Sequence, residues 1–119
     1  MKFIINEKTE NVSKKMIGGK AYSLYLLGRQ SNILNIPSWF SIKEDTLSSI
    51  KSNPENLNIF KEELQTELNK YNPEQLWAVR SSASTEDGIK NSFAGQLDTY
   101  LYVRKDQVEK TIHKVWESI

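Results

Sequence analysis

Four stretches of the chain repeat apolar residues at spacings of three and four, the period of a helix with one buried face. The first runs from about Gly19 to Gln30, with Ile17, Ala21, Leu24 and Leu27 predicted on one face and Gly28 as a stop near its end. A short second helix follows Asp45, a candidate N-cap, and is expected to bury Leu47 and Ile50. The third lies between Pro54 and Pro73 and repeats Leu57, Phe60, Leu64, Leu68 and Tyr71. The fourth covers about Lys105 to Ser118, with Val108, Ile112, Val115 and Ile119 as its stripe. Short runs between them read as strands: Phe3 to Ile5 and Trp39 to Ile42, and the more β-branched and aromatic Leu76 to Arg80 and Thr99 to Val103. Helices and strands alternate in mixed order, which predicts an α+β (mixed α/β) fold around one core.

The segment from Ser81 to Gln96 follows neither period. Loops longer than about 12–15 residues inside a compact domain are uncommon and usually functional or disordered, so this polar stretch between the two best strands attracts attention. It holds Ser81, Ser82, Ser84, Thr85 and Ser92 as hydroxyl donors, with Gly88 and Gly95 to admit close backbone approach. Such a loop can wrap a polyphosphate with N–H and O–H groups.

The overall numbers narrow the function classes. The chain has 119 residues and a formal net charge of +1, so one domain, 1–119, is expected. Charge balance argues against nucleic acid as a partner, because that would call for a basic face. Cysteine is absent, which removes disulfides, zinc ribbons and a thiol nucleophile. No window approaches the roughly 18 consecutive apolar residues of a membrane span, and the apolar start is too short for a signal peptide, so a soluble cytoplasmic protein is expected.

Two cationic positions stand out. Gly18-Gly19-Lys20 opens a predicted helix, where unobstructed N–H groups and the helix dipole favour an anion and the lysine adds positive charge. The tripeptide lacks the spacing of a Walker A loop, with Ala21 where Ser or Thr would follow the lysine. Taken alone it favours the plainer reading, a glycine turn with a solvated lysine. Arg80 is one of only three arginines and ends an apolar strand where the polar stretch begins. It suits phosphate or carboxylate recognition, or equally an ion pair with Glu86 or Asp87. His113 has no indicated catalytic partner and reads as a surface or packing residue. Trp39, Trp77 and Trp116 read as core.

In order along the chain stand Gly18-Gly19-Lys20-Ala21 with Leu24, Ile36-Pro37 with Phe40, Ala78-Val79-Arg80-Ser81-Ser82-Ala83 with Glu86-Asp87, and Ser92-Phe93-Ala94-Gly95-Gln96 with Thr99 and Leu101. Together these resemble the N-terminal ATP-binding domain shared by phosphoenolpyruvate synthases (pyruvate, water dikinases), pyruvate phosphate dikinases and rifampicin phosphotransferases. Departures are Trp39 for a usual glycine, Ser84 for a usual threonine, and the Gly88-to-Asn91 loop tip.

The resemblance implies the first lobe of an ATP-grasp-like domain. In it Lys20 and Arg80 would contact the ATP phosphates, Gly95 and Thr99 would belong to the phosphate loop, and Ser92 and Gln96 would be weaker members. It implies phosphoryl transfer from ATP through a histidine on a separate domain to pyruvate or a related acceptor. Magnesium ligands, a second lobe, the phosphohistidine domain and all catalytic residues would lie outside this chain. The chain would then be either a cut piece of a longer protein or a short free-standing relative, inactive alone. A non-catalytic interaction module derived from this lobe is the alternative.

Overall fold

A computed structural model describes residues 1–30, 37–82 and 99–118. Over these residues the chain runs β1 (Ile4–Asn6), α1 (Lys14–Gln30), β2 (Phe40–Ile42), α2 (Thr46–Ser52), α3 (Glu55–Leu68), β3 (Leu76–Arg80) and β4 (Thr99–Arg104). A 3-10 turn (Lys105–Gln107) then leads into α4 (Val108–Glu117). The mixed α+β class expected from the periodicities is what the molecule shows. The strands form two separate antiparallel pairs, β1 with β2 and β3 with β4.

The period of two along β1 organises the interior, because alternate side chains leave opposite faces of a strand. Ile4 turns into a cluster with Phe60, Leu64 and Leu68 of α3 and Val108 and Ile112 of α4. Ile5 turns the other way, into a cluster with Val12, Ile17, Ala21 and Tyr25. Trp77 and Trp116 pack on the first cluster and Trp39 on the second, so all three tryptophans have the packing role expected of them.

α3 carries two glutamates that tie it to the first strand. Glu63 accepts the backbone N–H groups of Lys2 and Phe3 at 3.0 and 2.8 Å. One turn later Glu67 is fully buried. It accepts from Asn6 Nδ2 at 3.3 Å, Lys70 Nζ at 3.1 Å and the Tyr71 hydroxyl at 3.1 Å. A buried carboxylate is tolerated only with such partners. Burial, with the adjacent Glu67 charge and hydrogen bond, pushes the Tyr71 phenol well above its ordinary value.

Three local expectations need correction. The buried stripe of α1 is Ile17, Ala21 and Tyr25, whereas Leu24 and Leu27 are 37% and 43% exposed. Leu24 and Leu27 look equivalent to Tyr25 by period, but the β1–β2 layer covers only the 17-21-25 row. Gly28 does not end α1, which continues to Gln30. Asp45 sits at the N-cap position without a side-chain capping bond. Its carbonyl accepts the first helical bond from Ser49 N at 3.0 Å and a second from Ser48 Oγ at 2.9 Å. Ile119 of the predicted α4 stripe lies outside the described residues.

The β3–β4 ladder pairs Leu76 with Arg104, Trp77 with Val103, Val79 with Tyr100 and Arg80 with Thr99. One extra residue on β4 therefore faces Ala78, a bulge, and Tyr102 takes φ 58° there. The inner face, Trp77 and Val79, meets the core, while Leu76, Leu101 and Tyr102 stay exposed on the outside. Among the described residues no helix is long and apolar enough to cross a membrane.

Two outcomes are expected from this packing. Phe60→Ala should cost about 3–5 kcal/mol in urea unfolding, and Leu27→Ala no more than about 0.5 kcal/mol; similar losses at both would contradict the α1 orientation. Because the folded state holds the Tyr71 proton after an unfolded phenol has released its own, stability should be complete below about pH 10 and decline above it. Tyr71→Phe should flatten that alkaline decline in pH-dependent melting.

Candidate functional site

Gly18 interrupts α1 with φ 84° and ψ 166°, a conformation essentially closed to residues with a side chain. The regular helix that carries Lys20 therefore begins just after it, as the glycine pair suggested. A Cβ built on Gly18 would lie 1.7 Å from the Ser82 carbonyl oxygen and 2.7 Å from Glu44 Oε1. Backbone from beyond β3 and a carboxylate from beyond β2 thus converge on one glycine. Glu44 is held there through its own N–H, which donates to Met16 O at 2.8 Å.

Ser82 completes the junction. In an unbroken helix the Ala21 N–H would bond the Ile17 carbonyl, four residues back. Here the Ser82 hydroxyl stands between them: it accepts from Ala21 N at 2.9 Å and donates to Ile17 O at 2.7 Å. A hydroxyl can serve both groups because it is donor and acceptor at once.

Of the residues singled out from the sequence, the junction brings together the segments bearing Lys20 and Arg80. Lys20 neighbours Ala21, and Arg80 is two residues before Ser82. Arg80 is the ladder partner of Thr99, so those two side chains share the outer face of the hairpin end. Lys20, Arg80 and Thr99 are all exposed. Ser92, Gly95 and Gln96 lie outside the described residues, as do Glu86 and Asp87, the ion-pair candidates for Arg80.

The other two arginines are occupied. Arg29 donates to Thr9 O at 2.8 Å and stacks 4.5 Å above the Tyr25 ring. Arg104 pairs with Asp106 at 3.8 Å. Arg80 has no such partner among the described residues. His113 packs edge-on against Trp116 at 5.1 Å and lies 3.8 Å from Glu109, a packing residue as read.

Among the described residues no group of three or more His, Asp or Glu side chains could hold a metal ion. Glu44 alone does not provide the ligands magnesium requires, so these residues do not fit that ion. A cavity of about 840 Å³ lies at the opposite end of the hairpin, between Gln65, Pro73, Leu76 and Arg104. Its cations are engaged, with Lys105 on Asn69 Oδ1 at 2.8 Å, and it is remote from the glycine junction.

Residues 54–119, more than half of the chain, match the pyruvate phosphate dikinase, AMP/ATP-binding domain family. The chain belongs to that family. Arg80 and Thr99 fall inside the matched stretch of this dikinase domain, while Gly18 to Lys20 precede it. The chain is similar to the prodigiosin synthesizing transferase PigC of Serratia marcescens, 56% identical over 43 residues, covering 35% of this chain and 5% of that protein. It is also similar to the rifampicin phosphotransferase of Bacillus cereus, 47% identical over 53 residues, covering 44% of this chain and 6% of the relative. The Bacillus subtilis rifampicin phosphotransferase is 45% identical over 53 residues, with the same coverage. The chain thus spans only about a twentieth of these relatives' length. No solved structure matches it.

Two site features were not legible in the sequence. Ser82 was one hydroxyl among several, and nothing in the spacing tied it to Gly18. Glu44 was overshadowed by Asp45 as a helix cap. The glycine pair was the available signal, since a glycine at a helix start can mark close approach by another backbone, but it does not say which one.

Gly18→Ala should lower stability by about 2 kcal/mol or more, from a forbidden backbone region and a clash with Ser82 O. Gly28→Ala, at a position with nothing within 4 Å, should be neutral or stabilising. Chemical denaturation of the two variants side by side checks this; equal behaviour would contradict the junction.

Proposed function

We propose that this chain is the ATP-binding lobe of a phosphotransferase, in which Lys20 and Arg80 receive the triphosphate. Gly95 and Thr99 contribute to the phosphate-binding loop, and Ser92 and Gln96 contribute less. The observation that carries this reading is the Ser82 junction, which joins the strand end bearing Arg80 to the helix start bearing Lys20. Membership of the dikinase AMP/ATP-binding family supports it.

The chemistry suits the residues. Phosphoryl transfer asks a protein mainly to position the nucleotide and neutralise developing charge. A guanidinium supplies a planar fork for phosphate oxygens, an ammonium a compact charge, and a helix start oriented N–H groups. On this reading the lobe is ATP-grasp-like. The phosphoryl group passes to a histidine on another domain and from there to pyruvate or a related acceptor, with no residue of this chain making or breaking a bond. By itself the chain binds nucleotide weakly and turns nothing over.

The outer face of the hairpin favours a second reading. Leu76, Leu101 and Tyr102 are 52%, 60% and 78% exposed on it, an apolar surface suited to a protein partner. A non-catalytic interaction module would use that face, and light scattering after size exclusion would then show an assembly indifferent to ATP.

Isothermal titration with Mg-ATP tests the first reading. Arg80→Ala and Lys20→Ala should each weaken binding about ten-fold or more, the worth of a charge-assisted contact. Wild-type affinity in Arg80→Ala would remove that residue from the site. Glu44→Gln should tighten binding about two- to five-fold by removing a like charge at the helix start, and the gain should shrink as salt is raised.

A further inference from the structure

We infer that Ser82 is a positioning residue of the nucleotide site, fixing the offset between Arg80 and Lys20 without touching the nucleotide itself. The inference rests on the nucleotide reading above and adds a residue to it.

The argument starts from the broken helix bond. Gly18 turns the chain out of helical geometry, which separates the Ile17 carbonyl from the Ala21 N–H. Ile17 is fully buried and Ala21 nearly so, so leaving both groups unpaired would be costly. The Ser82 hydroxyl bridges them at 2.7 and 2.9 Å. A side chain inserted into a helix ladder is a recognised cause of a kink. What is unusual is its origin, 61 residues away along the chain from Ala21.

The same contact sets the position of Arg80. The Ser82 carbonyl rests on the bare Cα of Gly18, so both ends of residue 82 are held, one by shape and one by hydrogen bonds. Arg80 lies two residues upstream on a strand paired with Thr99, and Lys20 lies one residue before the bonded Ala21 amide. With the junction in place, the backbone positions that carry the two cations are fixed relative to one another, so binding need not expend free energy on aligning those segments.

The fold itself does not depend on this bridge. The β3–β4 hairpin is seated through Trp77, Val79, Tyr100 and Val103 on the cluster shared with α3 and α4. α1 is seated through Ile17, Ala21 and Tyr25. Removing the hydroxyl should therefore loosen the relation between two seated elements rather than unfold either.

The test compares Ser82→Ala and Ser82→Thr with the wild-type chain in three measurements: urea midpoint, hydrogen exchange of the Ala21 amide, and Mg-ATP affinity by titration calorimetry. Ser82→Ala is expected to remain folded, to exchange the Ala21 amide about ten-fold faster and to bind Mg-ATP about ten-fold more weakly. Ser82→Thr keeps the hydroxyl and should restore both. Wild-type affinity in Ser82→Ala overturns the positioning role while leaving the nucleotide reading intact. Equal loss in the Ala and Thr variants overturns it too, and so does an unfolded Ser82→Ala chain, because the hydroxyl would then be holding the fold. A wild-type chain that gives no heat with Mg-ATP and no Mg-ATP-dependent change at Ala21 overturns the nucleotide reading and this inference together.

Discussion

The absence of a side chain at position 18 is the constraint on which the candidate site depends. Residues from three parts of the chain need the volume that a Cβ would fill: the Ser82 carbonyl, the Glu44 carboxylate and the turn that starts the regular part of α1. Only glycine offers both the space and the backbone angles. Once the chain passes through that turn, a helix bond is broken, and the Ser82 hydroxyl takes its place.

The electrostatic character of the junction follows from which segments meet there. A helix start carries partial positive charge, and Lys20 lies in its first turn. Arg80 arrives on the neighbouring strand, unpaired among the described residues, whereas Arg29 and Arg104 are each engaged elsewhere. Glu44 is the opposing influence. A carboxylate beside the turn offsets part of the positive potential, and its proximity links the end of β2 to the same site.

The rest of the molecule serves as a frame for this junction. β1 is buried on both faces, with α1 on one side and α3 and α4 on the other. Glu63 and Glu67 lock α3 to it through backbone and Asn6 contacts. Glu67 is among the most deeply buried side chains of the molecule. The period places Glu67 on the row of Phe60 and Leu64, and its charge is tolerated there because Lys70 and Tyr71, one turn on, and Asn6, from the first strand, donate to it.

Local chemistry alone determined a good deal about this protein: the four helices and four strands of the described residues, the Phe60-Leu64-Leu68 stripe, and the interest of Gly18, Lys20 and Arg80. These are legible because helix period, strand alternation and glycine's backbone freedom act between near neighbours in the chain. The tertiary structure decided which face of α1 is covered, that Asn6 meets Glu67, and that Ser82 and Glu44 meet Gly18. Those outcomes depend on contacts between residues tens of positions apart, and such contacts form only when the packed core brings the segments together.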